Sequence, residues 1–100
     1  MHYLASYDIH KNRYRNKAAK LLLRYGFVRV QLSVYFNSKL TGKELKNLRQ
    51  ELKELLSDAS CQNDSVLLIP IEKDHLASIS LIGEERIQEA CEKFNGFRFF

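Results

Sequence analysis

The sequence predicts an α+β domain in which an antiparallel sheet carries two helices on one face. Three observations predict it: a helical stripe between two β-like segments, a period-two run over 28–36, and a second leucine stripe between a capping signature and an apolar run. The chain has 100 residues, 45% hydrophobic and 28% charged. At that length roughly two-thirds of the unfolded surface is buried, enough for one core and too little for two. The expectation is therefore a single domain over 1–100, with its core at about residues 3–83.

Residues 3–9, YLASYDI, are rich in aromatic and aliphatic side chains and end at a polar break, as a buried strand does. Asp8 sits at its C-terminal end. From Lys11 to Tyr25, the residues Tyr14, Ala18, Leu21, Leu22 and Tyr25 recur every three or four positions and form one helical stripe. Gly26 can adopt the left-handed conformation that ends a helix. Val28, Val30, Leu32, Val34 and Phe36 then alternate with polar or aromatic neighbours, giving either one strand or two short ones with a bend at 31–33. Thr41 followed by Glu44 has capping-box spacing, and Leu45, Leu48, Leu52, Leu55 and Leu56 line the helix after it. Residues 57–64 are a polar loop. SVLLIPI at 65–71 is apolar throughout and predicts a strand covered on both faces, while Pro70 places a sheet edge or strand end nearby. EKDHLA is a short connection to a brief strand at SISLIG. Ile87, Ala90, Cys91 and Phe94 outline a short amphipathic helix, Asn95-Gly96 a turn, and FRFF a last strand. This order suits a split βαβ sandwich of the ferredoxin-like kind. Its second sheet face would lie open, and an open apolar face calls for a partner subunit.

The net charge of +4 is unevenly placed. Residues 1–30 hold seven bases (Lys11, Arg13, Arg15, Lys17, Lys20, Arg24 and Arg29) against the single acid Asp8. The other seventy residues carry nine bases and eleven acids, so one end of the fold is electropositive and a polyanion is its natural partner. A solvated helix face with no partner is the plainer alternative. No run approaches the ~20 apolar residues of a bilayer span, and the first residues do not resemble a signal peptide, so a cytoplasmic chain without membrane contact is expected. Cys61 and Cys91 have neither CxxC spacing nor a disulfide framework and read as structural thiols.

Asp8 is the candidate site. A strand-end carboxylate beside the start of a basic helix can hold a hard cation while Arg13 or Arg15 holds phosphate. Equally, it can cap the helix from just outside. One carboxylate is few for a catalytic metal, and a two-fold dimer bringing both Asp8 residues together would supply two. His10 is a candidate acid or base whose direction the loop leaves open. His2 and His75 lack zinc-ligand spacing. Ser6 and Ser33 have no general base in sequence reach. Tyr3, Tyr7 and Tyr35 read more readily as core or interface aromatics than as base-stacking platforms. No Gly-rich nucleotide loop is present.

Tyr7-Asp8-Ile9, the basic helix from Arg13 to Lys20, Tyr25-Gly26 and Arg29-Val30-Gln31-Leu32-Ser33-Val34-Tyr35 together resemble the opening of the CRISPR-associated protein-two family. Asp64-Ser65-Val66 with LLIPI is similar to its Asp-Ser-Val strand, and SISLIG to the short strand that follows. The resemblance covers about residues 3–83. Phe36-Asn37 and Leu67 depart from the pattern, standing where an acidic or small residue and an Arg are common. The resemblance implies a ferredoxin-like homodimer joined through the open sheet face and the C-terminal strands, which assigns residues 84–100 to a dimer or partner segment. It implies a central role in spacer acquisition, holding DNA between integrase subunits. It also implies a metal-dependent endonuclease acting on single-stranded RNA or double-stranded DNA, with Asp8 as ligand for Mg²⁺ or Mn²⁺. Arg13, Arg15, Lys17, Lys20, Arg24 and Arg29 would then contact nucleic acid, with Tyr7, Gln31 and Ser33 in support. The alternatives are a stand-alone endoribonuclease of the virulence-associated protein D type and a non-catalytic dimeric binding module.

Overall fold

A β-strand at His2–Asp8 (β1), flanked on both sides, organises the computed structural model, which describes residues 1–83 and the backbone of Arg98 and Phe99. Helix α1 (Asn12–Arg24) leads to β2 (Val28–Gln31), a tight turn at Leu32-Ser33, and β3 (Val34–Asn37). Helix α2 (Gly42–Leu55) follows, then a 3-10 turn at Ala59–Cys61, β4 (Ser65–Ile71), the single-turn α3 (Lys73–Leu76) and β5 (Ser80–Leu81). The sheet order is β2-β3-β1-β4, antiparallel throughout. Both connections through long helices, β1-α1-β2 and β3-α2-β4, skip one strand position, which is the split βαβ arrangement.

Alternation along β1 divides the core in two. Tyr3 and Ala5 face the helices and pack with Leu21 and Leu22 of α1, Leu45, Leu48 and Leu52 of α2, and Tyr35 of β3. Leu4 points to the opposite face, with Val30, Val34 and Phe36. The helices thus share one face, as their apolar stripes require.

Helix ends form where the sequence places them. Thr41 Oγ1 accepts from the Glu44 backbone N–H at 3.1 Å while the Glu44 carboxylate accepts from the Thr41 N–H at 3.0 Å, closing the capping box. At the end of α1, Gly26 N–H donates to Leu23 C=O and Phe27 N–H to Leu22 C=O, both at 3.0 Å, with Gly26 at φ +89°. This left-handed closure strains any residue with a Cβ. Asn37, one of the departures from the family pattern, is buried and serves the same corner: its Nδ2 donates to Tyr25 C=O at 2.9 Å and its Oδ1 accepts from Lys39 N–H at 2.7 Å.

The structure corrects two expectations. The run at 65–71 is an edge strand and is not covered on both faces: Val66 and Leu68 turn toward the helix-side core, but Leu67 and Ile69 are exposed. A uniformly apolar strand can be buried twice only between two layers, and the cover on the second face packs on Val30 and Phe36 of β2 and β3, which β1 separates from β4. Nor is the second face fully open, because the connection at 72–81 folds back over it and packs Leu76 and buried Leu81 against Val30 and Phe36. The bend within 28–36 resolves as two antiparallel strands with a bulge between Arg29 and Gln31. The amphipathic helix expected within 84–94, Cys91 and the Asn95-Gly96 turn lie outside the described residues. Arg98–Phe99 forms a strand (β6) paired in parallel with β5 of the same chain.

Candidate phosphodiester site

The end of β1, the first two turns of α1 and the β2–β3 turn enclose a cleft of about 530 Å³. Among the described residues Asp8 is its only carboxylate, and Arg15, Arg29, Asn12, Asn16, Ser33 and Tyr7 line the cleft with it. Helical geometry explains this selection. Asn12, Arg15, Asn16 and Ala19 recur at three and four positions and form the stripe of α1 beside the sheet. Arg13, Lys17, Lys20 and Arg24 fall on another face.

Asp8 is exposed and makes no side-chain hydrogen bond or ion pair among the described residues. It does not cap α1, whose N-cap is Lys11 without a side-chain bond. Arg29 is held in place by the hairpin, its Nη2 donating to Leu32 C=O at 3.1 Å and its Nε to Gln31 C=O at 3.3 Å. Gln31 therefore contributes through its backbone. Tyr7 Oη donates to the same Leu32 C=O at 3.4 Å. Burial, then a hydrogen bond with Tyr7, pushes the Tyr35 hydroxyl up to about 12, so it stays protonated at the cleft wall. Arg15 bonds Asn12 Oδ1, which holds its guanidinium along the helix.

The remaining predicted contacts lie elsewhere. Arg13 and Lys17 flank the Tyr14 ring, 5.4 and 5.5 Å from its centroid. Lys17, Lys20 and Arg24 border a second groove between α1 and α2, where Arg24 pairs with Glu51 at 2.8 Å. Glu51 also accepts from the Tyr25 hydroxyl. Of six predicted basic contacts, only Arg15 and Arg29 share the Asp8 cleft.

Sequence reasoning missed three residues. Asn12 and Asn16 share a helical stripe with Arg15, a legible signal. Asp64 was noticed only as part of a strand motif, yet its carboxylate is 1% exposed and accepts from both the backbone N–H and the ring Nδ1 of His10, at 3.1 and 2.7 Å. His10 thus has a defined direction. The hydrogen bond from Asp64 raises its pKa, and that from His10 lowers the pKa of Asp64. The Cys61 thiol lies beside this carboxylate, and burial pushes its pKa up, so it stays a thiol.

Among the described residues three carboxylates titrate below their ordinary values: Asp64, Glu44 through the Thr41 backbone N–H, and Asp58 at about 2 through Ser60. A carboxyl group whose folded pKa is depressed stabilises the fold above its unfolded value and loses that contribution as pH falls through the folded one. The melting temperature is accordingly expected to fall as pH drops from the ordinary carboxylate range toward 2. Asp58→Ala should lessen the lowest part of that fall, and an unchanged profile in the variant would remove Asp58 from the account.

The donor set at Asp8 fits a hard cation. It offers one carboxylate with neutral amide and hydroxyl oxygens, the environment in which Mg²⁺ binds through one or two carboxylates, water and substrate phosphate. Among the described residues no group of three or more His, Cys, Asp or Glu gathers to hold a metal ion, so a cation at Asp8 would rely on water, substrate phosphate or a second subunit for its other ligands. Among the same residues no helix is long and apolar enough to cross a membrane.

Residues 1–79 match the family described as CRISPR associated protein Cas2. A relative from Methanospirillum hungatei, named CRISPR-associated endoribonuclease Cas2 1, is 32% identical over 84 residues, covering 84% of each chain. Among solved structures, Streptococcus pyogenes Cas2 at pH 6.5 superposes with a TM-score of 0.70 at 25% identity, covering 83% of this chain and all of that one. The hypothetical protein TT1823 from Thermus thermophilus gives 0.62 at 35% identity, covering 71% and 80%. With the split βαβ fold and an ordered match through β1 to β4, the chain belongs to the CRISPR associated protein Cas2 family.

Proposed function

We propose that the chain is a homodimeric nucleic-acid-binding subunit of CRISPR spacer acquisition that docks an integrase and hydrolyses phosphodiesters of RNA or DNA at Asp8 with Mg²⁺ or Mn²⁺. The observation that carries this reading is the unpaired, exposed Asp8 carboxylate facing Arg15 and Arg29 in one cleft. The name of the Methanospirillum relative, an endoribonuclease, supports the same chemistry. Asp8 would hold the cation, and a dimer would place a second Asp8 opposite the first. The cation, when bound, supplies a Lewis acid to the phosphate oxygens and acidifies a water. Arg15 and Arg29 would neutralise the scissile phosphate and its neighbour, while Asn12 and Ser33 orient the sugar-phosphate by hydrogen bonds.

The scaffolding part rests on the outer stripe of α1. Arg13, Lys17 and Lys20 are exposed and make no ion pair among the described residues. Backbone contacts of this kind bind duplex regardless of sequence and release counterions, so log affinity falls with log salt by about 0.9 for each phosphate neutralised. Anisotropy titrations with duplex DNA and single-stranded RNA across salt concentrations test it. Lys17→Ala and Lys20→Ala should each flatten the duplex slope by about one. Affinity indifferent to salt would sink the phosphate-contact reading.

A further inference from the structure

The Asp64 side chain is almost fully buried beside the β1–α1 loop, yet it lines no part of the Asp8 cleft. Both bonds from His10 converge on Oδ1, while Oδ2 is buried with no nitrogen or oxygen partner among the described residues. Burying a carboxylate is costly unless hydrogen bonds compensate, and here most of the compensation comes from His10 of the β1–α1 loop, with a smaller share from the Cys61 thiol. That loop carries Asp8 at one end and begins α1 at the other. The bonds span 54 residues of sequence and tie the loop to the start of β4, where Asp8 lies opposite Ser65 in the sheet register.

Beyond the β1–β4 pairing at Asp8 and the burial of Ile9, few side-chain bonds restrain this stretch. The N-cap Lys11 makes no side-chain bond, α1 has no acid in its first turn, and Asp8 makes no side-chain hydrogen bond or ion pair among the described residues, its charge reaching His10 only through space. Buried Ile9 anchors the loop from below, between Tyr14, Ala18 and Cys61. The Cys61 thiol lies against the Asp64 carboxylate as well, so the 58–64 loop and the β1–α1 loop meet at this one group.

We propose that Asp64 is a positioning residue: its carboxylate clamps the β1–α1 loop through His10 and so sets the place of Asp8 and of the first turn of α1 at the cation and phosphate site. The inference deepens the reading of Asp8 as a metal ligand and rests on it. A precisely held ligand binds its ion without first paying the ordering entropy of a loose loop. The groups around the clamp are Asp8 and His10 on the β1–α1 segment, Arg15 on α1, and Asp58 and Cys61 on the loop before β4.

The test compares two variants of equal charge. Asp64→Asn keeps an oxygen that accepts from the His10 backbone and ring, whereas Asp64→Ala keeps neither bond. Loss of the nearby negative charge weakens cation binding equally in both, so any difference between them reports position. Mn²⁺ affinity followed by electron paramagnetic resonance, with circular dichroism confirming the fold, should fall about fivefold further in Asp64→Ala than in Asp64→Asn. In the Asp8→Asn background the difference should vanish. Equal affinities in Asp64→Asn and Asp64→Ala would overturn the proposal.

Should the wild type bind no Mn²⁺, the metal reading fails by itself, and amide hydrogen exchange at His10 decides on the clamp. Exchange at least about tenfold faster in Asp64→Ala than in Asp64→Asn would uphold it. Matched exchange in the two variants would overturn it.

Discussion

Asp8→Asn is expected to lower metal-dependent cleavage by at least ~100-fold, equivalent to about 2.7 kcal/mol of lost transition-state stabilisation. The substitution keeps the shape of the side chain and removes its charge. Asp8 has no hydrogen-bond or ion-pair partner among the described residues, and its charge acts on the fold only through a long-range attraction to exposed His10, so little stability depends on it. Melting temperature and oligomeric state should therefore match the wild type, and duplex binding through the outer stripe of α1 should persist. Labelled single-stranded RNA and double-stranded DNA, incubated with Mg²⁺ or with a chelator, give the readout. Activity that needs both the metal and Asp8 would establish the enzyme and name its substrate. Cleavage that survives in Asp8→Asn would place the chemistry elsewhere. A folded wild type that binds duplex and cuts nothing would leave scaffolding as the whole function.

The second large effect is on stability. Leu22 and Leu23 are adjacent on α1, yet Leu22 is completely buried and Leu23 is 53% exposed. Leu22 packs in the core between the helices and the sheet, and Leu22→Ala would leave a cavity there. We expect a loss of about 3 kcal/mol, within the range found for buried leucine truncations. For a chain of this size that corresponds to a fall in melting temperature of roughly 12–24 °C. Leu23→Ala should cost about 0.5 kcal/mol or less. Thermal unfolding of the pair checks the core assignment, because similar losses from both would contradict the burial of α1 described above.

Much of the architecture was legible because its signals are local. The α1 stripe, the Gly26 closure and the Thr41–Glu44 box each depend on successive contacts between residues at most five positions apart, and each formed where the spacing placed it. The two short strands within 28–36 were legible for the same reason, but the alternation was not kept through the bend, where Leu32 is exposed in the turn and Tyr35 faces the core. Burial of β4 was not legible, because an apolar strand reads alike at the centre and at the edge of a sheet, and only the pairing order puts Leu67 and Ile69 outside. The cover over the second sheet face was likewise hidden, since it depends on where Leu76 and Leu81 land after a connection without a strong pattern.

The site divides along the same line. From the sequence alone came the strand-end carboxylate at Asp8, the excess of bases in the first thirty residues and the split βαβ order, since these follow from composition and short-range periodicity. Tertiary structure decided which bases meet Asp8, turning Arg15 and Arg29 toward it and Arg13, Lys17, Lys20 and Arg24 away. It also brought Asp64 to His10 across 54 residues. The physical reason is that a hydrogen bond or a shared cleft is fixed by distance in space, and the sheet register that sets this distance is the cooperative outcome of all the strands together.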